Sequence, residues 1–291
     1  MSALEELTAA VQKVSEAVGP SVVSVNRSGT GVVIGENLVV TNAHNLRGGG
    51  DALVQFADGR WVTATVNGSD IDGDLAVLSV ETEGAPAVTW SDKPAELGQV
   101  VVALANPRGR GLRATVGTVS SLGRSFRGPR GRRIGGGLEH TAPLGRGSSG
   151  GPVVDTEGTV LGVNTHRLQE GFYLAVTADA DLRRRIDNLA EGKAPVRRRL
   201  GASIAPPQAA RHLRSAAGLP EVDGLLIRGV EEGGAADRAG LRRGDVLVSA
   251  GGEALKSVDD LYAVLDGEGG SVEFDVVRAT DEIKVTVDFS S

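Results

Sequence analysis

Cysteine is absent from the 291-residue chain, and aromatic residues make up only 3% of it. The absence of cysteine is compatible with any redox compartment, and the shortage of aromatics means that a core must consist mainly of Val, Leu, Ile and Ala. The chain has no run of the about 20 apolar residues that a membrane span requires, and residues 1–19 are amphipathic rather than patterned like a signal peptide. The sequence as written therefore predicts a cytoplasmic protein, or a periplasmic or other extracytoplasmic one if it is the mature part of a longer chain.

The charges of the chain are nearly balanced. Its 31 basic and 37 acidic residues give a formal net charge of −6, which indicates neither a nucleic-acid nor a membrane partner. A hydrophobic content of 40% is enough for a buried core, and the length allows one or two domains. The 42 glycines, about twice the usual share, favour a fold with many tight turns.

The pattern of apolar residues predicts a mainly β protein. An amphipathic helix capped by Ser2 comes first and stops at Gly19 and Pro20. Many short β segments separated by turns are typical of barrels, and about a dozen of them before residue 177 predict two small barrels. The predicted segments cover residues 21–26, 31–34, 38–41, 52–56, 61–67, 75–80, 100–105, 113–121, 153–154, 159–164 and 171–176.

A second domain follows the barrels. A helix lined by Leu182, Ile186 and Leu189 ends at Gly192. We predict a first domain over residues 1–192, a linker over 193–199 and a smaller α+β domain over 200–291. In that last domain Ser257 and Asp260 have the spacing of a capping box at the start of a helix.

Residues 123–137 are rich in glycine and arginine and show no usable periodicity. We interpret them as a mobile surface loop rather than a nucleic-acid site, because Phe126 is the only aromatic side chain in the segment and stacking on bases needs several. We expect the loop to order when substrate or an activator binds.

The most informative stretch is Gly-Ser-Ser-Gly-Gly-Pro at residues 147–152. It places Ser149 on a tight bend before a predicted strand, where glycines let the backbone turn sharply and let a substrate approach closely. A serine hydroxyl is a poor nucleophile unless a base takes its proton and N–H donors stabilise the oxyanion that develops. The amides of Gly147 and Ser149, on either side of Ser148, are the predicted donors. A glycine-rich hairpin with an exposed serine is the alternative.

The base and the carboxylate come from two other strand ends. His44 follows the apolar segment at 38–41, which would fix it at the rim of a barrel, whereas His140, His166 and His212 have no comparable flanking pattern. Among three closely spaced aspartates, Asp74 directly abuts an apolar strand and is the one expected to be buried. A calcium loop is disfavoured there, because Leu75 occupies the position that needs glycine. Ser149 would then attack a carbonyl, with His44 as the general base and Asp74 fixing its tautomer.

The three motifs together resemble the signatures of HtrA-type serine proteases. These are Thr-Asn-Ala-His at 41–44, Asp-Leu-Ala-Val-Leu at 74–78 and Gly-Ser-Ser-Gly-Gly-Pro at 147–152, and residues 235–247 resemble a PDZ domain. The resemblance implies a trypsin-like double β-barrel followed by a PDZ domain. It also implies an ATP-independent endopeptidase of bacterial protein quality control and stress response, without metal or cofactor, which cleaves unfolded or misfolded proteins and often acts as a chaperone.

The resemblance assigns further site residues. A specificity pocket is expected at Thr141, Tyr173 and Leu174, with no acidic residue to hold Lys or Arg, so cleavage should follow small or medium aliphatic residues. The PDZ domain is expected to bind C-terminal peptide ends through a carboxylate loop and a facing helix, formed by Arg199, Leu200, Gly201, Ala202, Val258, Leu261 and Tyr262. The cationic run Arg197–Arg199 should add positive potential there.

Some positions depart from the family pattern. Family members commonly have Asn at Ser148, where either residue supplies a backbone amide, and their Thr-Asp-Ala is His-Thr-Ala at 140–142. The resemblance implies a homo-oligomer, a trimer in many members, yet the aromatic N-terminal segment that helps them trimerise is missing. The alternative function is a non-catalytic or weakly catalytic chaperone or peptide-binding scaffold on the same fold.

Overall fold

The structure, a computed structural model, describes residues 2–46, 50–168, 171–195, 197–267 and 269–290. The chain divides into two compact units, Met1–Pro195 and Val196–Ser291. The division falls inside the linker predicted at 193–199, of which residue 196 lies outside the described residues. No helix within the described ranges is long and apolar enough to cross a membrane.

The first unit contains two closed antiparallel β-barrels. The first has the strand order β1-β2-β3-β6-β5-β4 and the second the order β10-β11-β12-β9-β8-β7. The strands of the first barrel are β1 Val22–Val25, β2 Gly29–Gly35, β3 Leu38–Thr41, β4 Ala52–Gln55, β5 Trp61–Asp70 and β6 Leu75–Ser79. Those of the second are β7 Val100–Ala105, β8 Arg113–Arg127, β9 Arg133–His140, β10 Pro152–Val154, β11 Val160–Arg167 and β12 Tyr173–Thr177.

The segment predicted as a loop at 123–137 is instead a β-hairpin. β8 runs on to Arg127, the chain turns at residues 128–132, and β9 returns from Arg133. Phe126 and Ile134 are buried in the main core and fix the hairpin to it. The surrounding glycines and arginines give no sign of this burial in the sequence. The interpretation as a surface loop without regular structure was therefore wrong.

Two helices pack on the barrels. Helix α1, Ala3–Val18, begins at a capping box in which Ser2 accepts from the N–H of Glu5, and it buries Val14 and Val18. Helix α2, Ala180–Ala190, is capped by Asp179 and buries Leu182, Ile186 and Leu189. One contiguous core joins both helices to residues of both barrels, so the strand ends that carry the predicted site residues rest on a shared support.

The second unit is an antiparallel sheet with short helices. The sheet order is β13-β14-β15-β17-β18, with β16 paired to β15, and Phe274 is fully buried in its core. Ser257 and Asp260 form the predicted capping box of α5. The elements are β13 Ala202–Ala205, α3 Pro207–Ala216, β14 Leu225–Val230, α4 Ala235–Arg238, β15 Val246–Ala250, β16 Glu253–Ala254, α5 Val258–Asp266, β17 Ser271–Arg278 and β18 Asp281–Asp288.

Candidate active site

Asp74 ends the tight turn between β5 and β6 and is fully buried. Its backbone is left-handed, with a φ of 51°, a conformation that aspartate tolerates better than most residues. The turn is held internally by a bond from the N–H of Gly73 to Asp70 Oδ1 (2.9 Å), and Asn42 Nδ2 donates to the carbonyl of Asp74 (2.8 Å). The turn thus fixes the direction in which this carboxylate enters the protein.

His44 lies on the short helical turn Ala43–Asn45 that follows β3. Its Nδ1 is 2.9 Å from Asp74 Oδ1 and 2.8 Å from Oδ2, and its backbone N–H donates to Oδ1 (3.1 Å). A carboxylate only accepts hydrogen bonds, so Nδ1 carries the proton and Nε2 is left as the basic nitrogen. The side chain of His44 is 34% exposed, and that of Asp74 is 0% exposed. The pair therefore combines a buried carboxylate with an imidazole that solvent can reach.

Thr165, near the end of β11, is a third contact of Asp74 that the sequence did not single out. Its Oγ1 donates to Asp74 Oδ2 at 2.7 Å, and the residue is buried. The bond crosses from the second barrel to the first, so it ties the aspartate to the barrel that carries Ser149.

The bend around Ser149 depends on glycine. Gly150 has a φ of 91°, and a Cβ added there would lie 1.9 Å from the carbonyl oxygen of Thr30. The carbonyl of Ser149 accepts from the N–H of Thr30 (2.9 Å) and from Nδ2 of Asn45 (3.0 Å), the residue next to His44. The bend is thereby attached to the first barrel beside the histidine. The N–H groups of Gly147 and Ser149 have no acceptor among the described residues.

The hydroxyl of Ser149 is turned away from the histidine. It donates to the carbonyl of Thr165 (2.8 Å), and within the described part of the chain no hydrogen bond joins it to His44. The histidine–aspartate half of the predicted triad is thus assembled, whereas the serine hydroxyl is bonded to the backbone of β11.

A small cavity of about 40 Å³ adjoins Ser149. Leu144, Asn164 and Tyr173 are among its lining residues, together with Gly145, Ser148, Ser149, Thr165, His166 and Arg167. Of the predicted pocket residues, only Tyr173 lines it. Leu174 points into the main core, since neighbouring residues of a strand face opposite sides. The hydroxyl of Thr141 instead accepts from the N–H of Thr118 (2.9 Å). Neither Leu174 nor Thr141 lines this cavity, so their place in the specificity pocket stays a prediction.

His140 supports two residues of this cavity from within the barrel. It is fully buried, its Nε2 is 2.8 Å from Asn164 Oδ1, and its ring stacks on Tyr173 with the centroids 5.8 Å apart. Burial lowers the pKa of His140, because the interior disfavours the charged imidazolium. His140 is therefore a neutral donor to Asn164 rather than a second base.

The predicted carboxylate loop of the second unit lies at the start of β13. Gly201 has a φ of 71°, and the carbonyls of Leu200 and Gly201 accept from the N–H groups of Ala236 and Glu231, both at 2.8 Å. β13 is the first strand of the sheet order, with β14 as its partner, so its other side is an edge.

The predicted lining of this groove is only partly exposed. Val258 and Tyr262 are half-buried, whereas Leu261 belongs to the core of the unit. Two arginines of the predicted cationic run already bind other groups. Arg198 donates to the carbonyls of Val264 (2.8 Å) and Leu265 (3.1 Å) at the end of α5. Arg199 forms an ion pair with Glu231 (3.3 Å).

Comparison with known proteins finds relatives of both units. Residues 29–163 match the family model described as a trypsin-like peptidase domain, and residues 226–278 match that of the PDZ domain. A putative serine protease, HhoA of Synechocystis sp., is 31% identical over 276 residues, covering 89% of this chain and 69% of the relative. A probable periplasmic serine endoprotease of Halomonas elongata, described as DegP-like, is 30% identical over 89% of this chain and 55% of its own length.

Solved structures show the same fold. The HtrA-type protease AlgW with a bound tripeptide has a TM-score of 0.61 and 26% identity, covering 96% of each chain. The serine endoprotease from Yersinia pestis has a TM-score of 0.66 and, at 24% identity, supports the fold alone.

Two antiparallel barrels, with a histidine–aspartate pair on the first and a serine bend on the second, are the arrangement of trypsin-like serine endopeptidases. The chain belongs to the HtrA-type family of these proteases, with a C-terminal PDZ domain. It spans about half the length of several curated relatives that it matches.

Proposed function

We propose that this protein cleaves unfolded or misfolded proteins without ATP, as an endopeptidase of protein quality control, with Ser149 as nucleophile, His44 as base and Asp74 as orienting carboxylate. The observation that carries the proposal is the double contact of buried Asp74 with His44 Nδ1, 2.8 and 2.9 Å, beside a serine bend bonded to Asn45. A purely structural hydrogen bond to Asp74 would not require His44 to be exposed, whereas a general base must be reached by substrate.

Catalysis begins with a rotation of the serine side chain. Ser149 Oγ leaves the carbonyl of Thr165, donates to His44 Nε2 and attacks the substrate carbonyl as His44 takes the proton. His44 then returns this proton to the leaving amine, and water repeats the sequence on the acyl-enzyme. A substrate N–H that takes over the carbonyl of Thr165 would release the hydroxyl, so substrate itself would complete the triad.

The oxyanion hole is assigned to the bend that carries Ser149. The N–H groups of Gly147 and Ser149, which have no acceptor among the described residues, would donate to the oxyanion, and Ser148 between them is buried and holds the bend. Fixed backbone donors of this kind typically contribute about 3 kcal/mol each to transition-state stabilisation.

Cleavage should follow small or medium aliphatic residues. The cavity next to Ser149 is small, its walls include Leu144 and Tyr173, and no acidic side chain is among its described lining residues. Arg167 at the same cavity disfavours a basic substrate side chain. A peptide library tests this: preference for Lys or Arg before the scissile bond would overturn the assignment.

We propose that the PDZ domain binds the C-terminal ends of chains. The edge of β13 offers a strand for β-augmentation, and the N–H groups around Gly201 would hold the terminal carboxylate. Affinity in the micromolar range, about −8 kcal/mol, is typical of such small interfaces. Titration with a peptide and with its C-terminal amide separates the two contributions, since equal affinity for both rejects carboxylate capture.

For location, we propose the extracytoplasmic alternative, because several relatives are named as periplasmic endoproteases. Fractionation of the native host tests it: recovery of the protein in the cytosol alone supports the cytoplasmic assignment. Assembly into a trimer, as the family resemblance implies, is tested by light scattering of the purified chain.

The decisive experiment is degradation of an unfolded model protein such as casein by the intact chain and by Ser149→Ala. We expect cleavage by the wild type and a loss of about 10⁴–10⁶ in kcat for the variant, with unchanged thermal unfolding. Ser215→Ala on the exposed face of α3 is the matched control. Residual activity of the Ser149 variant above a tenth of wild type removes the serine from its role. Binding of casein without cleavage by the folded wild type supports the scaffold alternative instead.

A further inference from the structure

A second histidine lies beside the proposed triad. His166, on β11 directly after Thr165, is half-buried between the hairpin residue Phe126 and His44. Its ring centroid is 5.3 Å from that of Phe126 and 6.2 Å from that of His44, edge to face. The position is close enough to the reaction to affect it, yet the proposed chemistry assigns His166 no task.

The hydrogen bonds fix the protonation of this ring. Thr165 Oγ1 is 2.7 Å from Asp74 Oδ2 and 2.9 Å from His166 Nδ1. A carboxylate is an acceptor only, so the single hydroxyl proton of Thr165 must point to Asp74. The threonine oxygen can then only accept from the ring, and His166 must carry its proton on Nδ1.

We propose that His166 is a positioning residue of the active site, whose Nδ1–H orients the hydroxyl of Thr165 as a donor to Asp74. A continuous chain of hydrogen bonds then runs from His166 through Thr165 and Asp74 to His44. The inference rests on the proposed roles of His44 and Asp74. It goes beyond these roles because it explains how the hydroxyl that donates to Asp74 is oriented. The ring of His166 is itself positioned by its contacts with Phe126 and His44.

The surroundings of His166 suit a neutral donor. Burial lowers the pKa of His166, the charge of Asp74 acts in the opposite sense, and a positive charge on His44 lowers the pKa further. Near neutral pH the ring is therefore uncharged and donates through Nδ1.

Two variants separate the donor from the ring. His166→Phe keeps a ring against Phe126 but removes the donor, whereas His166→Asn removes the ring and keeps an N–H donor near the position of Nδ1. His212→Asn, at an exposed site on α3, is the control. The measurements are kcat and KM for a peptide substrate near neutral pH, with the full chain.

We expect His166→Phe to lower kcat by about two- to tenfold, the effect of one hydrogen bond, with KM nearly unchanged. His166→Asn should retain kcat within about twofold. Wild-type kcat in the Phe variant overturns the proposal, because the lost donor would then have no effect. An equal loss in both variants overturns it as well, because the donor that asparagine retains would then not account for the activity.

A spectroscopic test is independent of turnover. Imidazole ¹H–¹⁵N spectra of the Ser149→Ala variant at neutral pH should show His166 with its proton on Nδ1. A proton on Nε2 refutes the proposed chain even if the protease is active. If the wild type cleaves nothing but the Nδ1 tautomer is present, the proposed function fails while the hydrogen-bond chain stands.

Discussion

Replacement of Thr165 by valine tests how firmly the buried aspartate is held. Valine has nearly the shape of threonine, so Thr165→Val leaves the packing of β11 intact. It removes the hydroxyl that donates to Asp74 Oδ2 at 2.7 Å and that lies 2.9 Å from His166 Nδ1. The carboxylate is 0% exposed, so water cannot replace the lost donor. A hydrogen bond to a charged group contributes about 1.5–3 kcal/mol, which is the expected loss of free energy of unfolding.

This loss is large enough to measure by two methods. For a unit of about this size, 1 kcal/mol lowers Tm by about 2–4 °C, so the transition of the protease unit should fall by about 3–12 °C. If the full 1.5–3 kcal/mol is also lost from the transition state, in which the imidazolium of His44 forms, kcat/KM falls by at most about 10- to 150-fold. Casein degradation and calorimetry of the intact chain report both quantities.

Thr165→Ser provides the matched control, because it keeps the donor and loses only a methyl group, at a cost of about 1 kcal/mol. We expect it to retain most of the activity. The reasoning is refuted if the valine variant is as stable and as active as the serine variant, since the hydroxyl would then contribute nothing to Asp74.

Three further predictions follow from other parts of the structure. Gly150→Ala should reduce kcat more than tenfold, because its Cβ would lie 1.9 Å from the carbonyl oxygen of Thr30; wild-type kinetics would show that the bend adapts. His140→Thr should reduce the loss of unfolding free energy on acidification. Burial lowers the pKa of His140, so its contribution to stability is complete above the unfolded pKa of about 6.5. Below that pH the contribution falls by at most about 1.4 kcal/mol per pH unit. Thermal unfolding at pH 7 and 5 measures this, and equal pH dependence in both proteins contradicts it. Arg198→Ala should lower the Tm of the PDZ unit by several degrees, since Arg198 donates to carbonyls at the end of α5. Arg199→Ala, which breaks only an exposed ion pair, should cost less than about 1 kcal/mol, and similar losses in the two variants would argue against the capping role.

The central residues of the site could be predicted because each stands next to a strong local signal. His44 and Asp74 adjoin continuous apolar strands, and Ser149 lies in a glycine bend. Their order along the chain then matches a known arrangement. The contact between His44 and Asp74 needed only that these strand ends meet, which closure of the first barrel ensures through the pairing of β3 with β6.

The remaining contacts could not be predicted, because they depend on which face of a strand each residue occupies. Thr165 and His166 continue an apolar strand, and no neighbouring motif marks them as site residues. Only the folded structure shows that Thr165 contacts Asp74 and that His166 contacts Thr165. The same uncertainty applies to Leu174. The strand at 171–176 was predicted, but the sequence did not show that Tyr173 faces the cavity and Leu174 the core. One available signal was the polar run Asn164–Thr165–His166 at the end of the apolar segment.

The hairpin formed by β8 and β9 was only partly predicted, for a different reason: residues 113–121 were expected to be a strand, but residues 123–137 were interpreted as a loop. Its outer part contains glycines and arginines, which carry little β propensity, and its strands are irregular, with several register shifts. The strands form there because Phe126 and Ile134 reach the core, and Arg132 is buried with its Nε 3.8 Å from Asp72 Oδ2. Two apolar residues eight positions apart give no periodicity that a sequence can reveal.

The core shared by the two barrels also determines how the protease unit comes apart. Val14 of α1, Leu75 of the first barrel and Val154 of the second belong to one contiguous cluster, so neither barrel can melt without exposing apolar surface of the other. The unit should therefore unfold in a single cooperative step. Under the proposed function the enzyme cleaves unfolded chains, and these include any copies of itself that have unfolded. All-or-none melting keeps partly opened copies rare, and any copy that does unfold loses its active site at the same moment that it becomes a substrate.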